Sequence, residues 1–268
     1  MVSAAKLKKA QDAIVQIRPY ADKLHEILGS LGSSLEDSED SPYTRQREPE
    51  KVLLVLISSN RGLCGAFNSN IAKTAVGLAK KRYHHQLMTG KLEFFVIGKQ
   101  GEKYLKLTKM PVAGQANEIF DSLSFEKAAV LAENIMGDFV SGKYDRVELV
   151  YNQFRNAVTQ VCFTEQFLPV EITDEPDEKA SGYNFIYEPS KKEIVEKLIP
   201  RSLKVQFFKA LLDSNASEHG ARMTAMHKAT DNASDLINEL TLSFNKARQA
   251  AITNAILEVT NGAEALNG

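Results

Sequence analysis

KVLLVLISSNRGLCGAFNSN, residues 51–70, runs an unbroken apolar stretch into a turn that carries two glycines and then into a segment of small and polar residues. An apolar run of this length, bounded by turn residues, reads as a strand buried on both faces. KVLLVLISS (51–59) is therefore a strand, and the stretch from Cys64 to about Arg82 a helix. A phosphate loop at this junction needs amides opened by glycine and a lysine beside a hydroxyl residue at the helix start. A dinucleotide fingerprint needs three glycines at fixed spacing. NRGLCGAFN offers Gly62 and Gly65 only, with no lysine before Lys73. A tight connection in which Gly62 and Gly65 serve backbone geometry is the better reading.

The same strand grammar recurs downstream. LEFFVIG (92–98), RVELVYNQF (146–154) and VTQVCFTEQFL (158–168) read as strands, with a short one at YNFIYE and a helix over SFEKAAVLAENIMGDFVSGK. Alternating strands and helices with near-continuous apolar strands predict an α/β domain over 51–188, Rossmann-like, its sheet covered on both faces. Residues 32–50 are polar, charged and proline-bearing and read as a surface linker.

Both ends of the chain follow a helical period. Leu7, Ala10, Ile14, Ile17, Ala21, Leu24, Leu28 and Leu31 alternate steps of three and four, a heptad stripe over 1–31 in which Pro19 predicts a kink. Ser190 and Glu193 make a capping-box start for a second helix over 190–268. From Arg201 to Gly262 no proline intervenes, which at about 1.5 Å per residue gives a rod of roughly 90 Å. Its seam, Ala225, Ala229, Ala233, Leu236, Leu240, Phe244, Ala247, Ala251 and Ala255, repeats every eleven residues, close to the natural helical period, so the rod should be nearly straight. The only other long stripe is the N-terminal one, which predicts an antiparallel coiled coil of the two terminal helices. Arg222, Asn245, Arg248, Gln249 and Thr253 interrupt or border the seam, where a plain coiled coil prefers Leu or Ile. They suit hydrogen bonding to a changing set of partners.

Composition narrows the function classes. Lys plus Arg number 33 against 34 Asp plus Glu, so the net field attracts neither nucleic acid nor an anionic membrane. Cys64 and Cys162 lie far apart in apolar surroundings and read as reduced thiols, not a disulfide framework. No window is apolar for long enough to span a membrane. His84 and His85 are adjacent, and His219 and His227 have no third ligand between them, so no metal centre is expected. No nucleophile, base and acid stand in a recognisable setting. Three readings remain: a helical shaft or scaffold serving other proteins, a self-associating coiled coil, or a nucleotide-using α/β enzyme with a dimerisation arm.

RGLCGAFNSN after the first strand, ASEHGARMTAMHKATDNASDLI, LSFNKARQAAITNAILEVTNGAEAL and the opening MVSAAKLKKAQ resemble the γ subunit of F-type ATP synthases, in the right order over essentially the whole chain. The resemblance implies a non-catalytic rotor: the terminal helices inside a hexamer of α and β subunits, and the α/β domain near the ε subunit and the c-ring. It implies that proton-driven rotation cycles the catalytic β subunits, with no cofactor on this chain and membrane association only through the complex. With no transit peptide visible, a peripheral position on the cytoplasmic side of a bacterial inner membrane is expected. Arg222, Arg248, Gln249 and Thr253 match family positions that contact the surrounding ring.

Two departures stand out. The family pattern Ile, Thr, any residue, Glu reads Ile252, Thr253, Asn254, Ala255 here, without the carboxylate. The family also normally extends the N-terminal helix before the segment that matches Met1, which suggests that Met1 is an internal methionine. Intact mass of this subunit in the purified native complex tests that: a mass above that of these residues is expected, and a mass equal to it refutes the idea.

Overall fold

The computed structural model describes residues 2–32, 41–170 and 191–267. The packing divides the chain into two compact units, Met1–Thr224 and Ala225–Gly268, so the division falls inside the last helix and not at the ends of the sheet.

The first unit is built around β1 (Val52–Ile57), whose six residues are all buried. Its side chains alternate between two layers, as a pleated strand requires. Leu53, Val55 and Ile57 face a layer that contains Ile135 and Phe139 of α5 (Phe125–Val140) and Leu203, Phe207 and Leu211 of α6 (Lys191–Asn267). Val52, Leu54 and Leu56 face Ile71 and Ala75 of α2 (Phe67–Lys81) and Leu105 of α4 (Lys99–Leu107). The other strands are β2 (Leu92–Ile97), β3 (Val112–Gln115), β4 (Arg146–Phe154) and β5 (Gln160–Leu168), in the order β3-β2-β1-β4-β5. All pair in parallel except β5, which returns antiparallel beside β4.

The predicted strands 51–59, 92–98, 146–154 and 158–168 and helices 64–82 and 124–143 are present, each within a few residues. A five-residue helix α3 (His84–Met88), α4 and β3 were not anticipated. Helix α4 is short, with Gly101 and Leu105 its buried residues, and β3 is exposed at most of its positions, so neither is a long apolar run. The predicted strand YNFIYE and the Ser190 cap lie outside the described residues. The second half of the 32–50 linker is strapped to the domain. Tyr43 O accepts from Val170 N at 2.9 Å, and the Arg47 guanidinium lies 5.6 Å from the centre of the Phe139 ring.

Helix α1 (Val2–Gly32) runs through Pro19 without a break in its assigned span. Leu7, Ala10, Ile14 and Leu24 of the predicted stripe are buried. The first three pack on Leu212 and Ala216 of α6 and Phe154 of β4. The pairing is antiparallel: the charge of Lys6 acts on Glu218 and His219, Arg18 pairs with Asp213, and Tyr20 lies under Arg201. Within the first unit, α1 thus meets the 201–219 part of α6.

Arg18 is the polar joint of this pairing. Its Nη2 donates to Asp213 Oδ1 at 3.0 Å and to Phe154 O at 2.9 Å, tying α1, α6 and the end of β4 together. Asp213 is fully buried while the Arg18 side chain is 39% exposed. Burial holds the Asp213 carboxyl above the ordinary carboxylate range, with Arg18 pulling the other way.

Removing the two partners should therefore have unequal effects. Arg18→Ala strands a buried carboxylate and should cost about 3–5 kcal/mol. Asp213→Asn leaves an arginine that can rehydrate and should cost clearly less. A raised carboxyl pKa means that the folded chain keeps a proton the unfolded chain releases, so the Arg18→Ala deficit should grow as pH rises through the carboxylate range and shrink on acidification. Urea denaturation of both variants at about pH 5 and about pH 8 checks both expectations.

Candidate interaction surface

The turn after β1 spends its polar groups on the chain itself. Ser58 Oγ accepts from Gly101 N at 2.9 Å, Ser59 O from Gln100 N at 3.0 Å, and Asn60 Oδ1 from Lys99 N at 3.2 Å. These are the first three amides of α4, the groups that an anion at a helix N-terminus would use. The approach is close: a Cβ on Gly98 would lie 2.3 Å from Ser58 O, and one on Gly101 would lie 2.6 Å from Ser58 Oγ. On the α2 side, Asn68 accepts from Ser59 N at 3.0 Å and donates to Cys64 Sγ at 3.1 Å. Burial pushes the Cys64 thiol up from its ordinary pKa.

Two residues of the turn take left-handed backbone, Leu63 with φ 61° and Gly65 with φ 58°. Gly62 is outside that region and has nothing within 4 Å of where a Cβ would sit, so its position does not demand glycine. Leu63 takes the strained conformation instead and is 78% exposed.

Arg222 closes the turn onto α6. Its Nη1 pairs with Glu218 Oε1 at 2.6 Å, and its Nη2 donates to the carbonyls of Arg61 at 3.1 Å and Gly62 at 3.2 Å. The side chain is 14% exposed, so the structure gives this guanidinium an intrachain task where the resemblance implied a partner contact. Nothing in the sequence separated Arg222 from Arg248, because the carbonyls it meets lie some 160 residues away. Burial raises the Glu218 carboxyl, opposed by Arg222. Beside it, burial and then the charges of Arg222 and Lys6 lower the His219 pKa to about 4.

The second unit, Ala225–Gly268, is the remainder of α6. Arg248, Gln249 and Thr253 are exposed along it, and Thr253 Oγ1 donates to Gln249 O at 2.9 Å. The predicted seam residues Leu236, Leu240 and Phe244 are 55%, 58% and 66% exposed. Ile237, Leu242, Ile252, Ile256, Leu257 and Val259 are exposed as well. At about 100° per residue these side chains point all round the helix axis and not along one stripe. A helix with large apolar side chains exposed on several sides, interleaved with polar ones, offers contact surface to more than one neighbour.

Comparison with known proteins agrees with this geometry. A family model described as ATP synthase matches residues 1–266. The chain is 57% identical over 269 residues to the ATP synthase gamma chain of Flavobacterium johnsoniae, covering 100% of this chain and 91% of the relative. The gamma chains of Cytophaga hutchinsonii and Geobacter metallireducens are 49% and 42% identical, with the same shares covered. Among solved structures, the mitochondrial ATP synthase central stalk and c-ring of Tetrahymena thermophila contains a chain similar at 25% identity and TM-score 0.61, covering 86% of this chain and 96% of that one. A chain of the Euglena gracilis mitochondrial enzyme shares the fold at 20% identity and TM-score 0.60, over 98% of this chain and 95% of that one.

The two glycines of the turn should separate experimentally. Gly65→Ala forces a Cβ into left-handed backbone and should cost about 1–2 kcal/mol. Gly62→Ala should stay within about 0.5 kcal/mol of the parent in thermal denaturation.

Proposed function

The chain belongs to the ATP synthase γ chain family, and on that premise we propose that it is the central shaft of a rotary, proton-coupled ATP synthase. Its second unit turns within a ring of α and β subunits, while the α/β domain works near the ε subunit and the c-ring. The observation that carries this reading is the exposure of apolar side chains on all sides of α6 beyond Thr224. A single docking groove would need one stripe, whereas a surrounding sheath covers every side. The shaft is itself non-catalytic. It conveys rotation of the ring to the β subunits, whose nucleotide states follow whichever side of the shaft they face.

Arg248, Gln249 and Thr253 are the polar contacts on that surface. Hydrogen bonds to them can be exchanged between successive subunits at modest cost, because each bond lost is replaced by another or by water. Alanines at the two ends of the seam let a neighbouring backbone come close, and Leu236, Leu240 and Phe244 fill the middle. Among the described residues no helix is long and apolar enough to cross a membrane. On the reading proposed here, the chain reaches the membrane through its complex, on the cytoplasmic side of a bacterial inner membrane.

Co-expression with the α and β subunits of the same organism, followed by purification and native mass determination, tests the reading. One copy per three αβ pairs is expected. Recovery of this chain only as a self-associated oligomer overturns it in favour of a coiled-coil scaffold. Phe244→Asp places a charge where the sheath should be dry and should lower recovery of the complex by roughly tenfold or more.

A further inference from the structure

Between Ser217 and Thr224, α6 is held by two separate loops of the α/β domain. On one side, Ser217 Oγ donates to Asn152 O at 3.0 Å, near the end of β4. One turn on, Gly220 lies against the β4–β5 hairpin, where an added Cβ would be 3.0 Å from Ala157 O. Thr224 Oγ1 then donates to the same Ala157 O at 3.3 Å. At about 100° per residue, positions 217, 220 and 224 fall within about 60° of one another around the helix. Arg222 lies about 140° round from Ser217 and grips the other loop, through the carbonyls of Arg61 and Gly62.

From this geometry we infer that residues 217–224 form a torsional clamp: two loops grip roughly opposite sides of the helix and fix its rotation about its own axis relative to the α/β domain. The apolar contacts of α1 with α6 are non-directional, and Arg18 adds a directional joint to them at Asp213. Directional hydrogen bonds on two sides resist rotation, because turning the helix either way lengthens one set or the other. The Arg222 grip is the stronger, since its donor is charged and both acceptors lie on one turn of chain. The left-handed backbone at Leu63 and Gly65 follows directly on those two carbonyls, which ties the odd conformation of this turn to the helix it holds. The Arg222–Glu218 pair, four residues apart on one helix, aims the guanidinium at the loop.

The inference rests on the shaft reading and adds a residue-level account of where turning force enters α6. Arg222 and Thr224 are positioning residues in it, acting on the helix and not on nucleotide.

The test uses the whole complex in sealed vesicles, with the unaltered chain, Arg222→Gln, Ser217→Ala with Thr224→Val, the combination of all three, and Arg222→Lys. ATP hydrolysis is measured with the proton gradient collapsed, and proton uptake per ATP with the vesicles sealed. Losing a charge-assisted hydrogen bond shifts the balance between gripped and released helix by roughly tenfold. Arg222→Gln is expected to keep hydrolysis within about twofold while proton uptake per ATP falls roughly threefold or more, further in the combination, and Arg222→Lys to recover part of the loss. Uptake per ATP at the parent level in the combined variant overturns the clamp. If the combination fails to assemble, Arg222→Lys decides: an uptake per ATP between those of the parent and Arg222→Gln supports the clamp, and parent-level uptake in both single-site variants refutes it. Failure of the unaltered chain to assemble at one copy per three αβ pairs refutes the shaft reading instead, so the two failures are told apart by the unaltered arm.

Discussion

Complete burial of β1 on both faces is the constraint from which the first unit follows. A strand with all six residues inside must be flanked by other strands and covered twice, since an uncovered face would leave leucines and valines in water. Helices α2 and α4 supply one cover, and α5 and α6 the other. Helix α6 is thus committed to the core through Leu203, Phe207 and Leu211, which recur every four residues, while Ala216 packs on α1. Beyond Thr224 the same helix has no such commitment, and its leucines and isoleucines are exposed. One helix therefore meets two settings, closed in by the rest of its unit over 210–218 and carrying exposed apolar side chains on every side beyond Thr224.

Much of this was legible because the signals are local. The runs KVLLVLI and LEFFVI are apolar nearly throughout, so strand and burial could be read together. The stripe through Leu7, Ala10 and Ile14 announced a helix with a buried side. Where the signal was not local, the reading stopped. Helix α4 owes its place to Gly98 and Gly101, which let Ser58 approach, and a GKQG segment does not reveal what will press against it. The role of Arg222 depends on carbonyls far away in sequence, and backbone acceptors carry no side-chain signature. The turn's strain falls on Leu63 and not on Gly62, which glycine counting cannot show.

The seam illustrates a different limit. Counting every third or fourth apolar residue recovers a stripe from almost any helix rich in leucine and alanine, and the steps four, four, three do fit Ala225 to Ala255. That count ignores residues off the stripe. Ile237, Leu242 and Val259 lie far round the axis from Leu236, and their exposure adds further apolar sides to the one that the stripe counts.

Electrostatics give the inner part of α6 a further asymmetry. Asp213, Glu218 and His219 are all held away from their ordinary titration by burial, the acids upward and the histidine downward. For the histidine, the unfolded chain takes up a proton near pH 6.5 while the folded chain declines it until about 4, so acidification across that interval costs stability. For the acids, burial works in the opposite sense and acidification relieves the cost of an ionised buried carboxylate. The two effects oppose each other on neighbouring residues of one helix. Arg18 and Arg222 then act less as sources of net stability than as locks. A buried ion pair gains little over an apolar contact of similar volume, but it tolerates only one geometry. A segment that must hold the helix in one rotational setting calls for directional contacts at this junction.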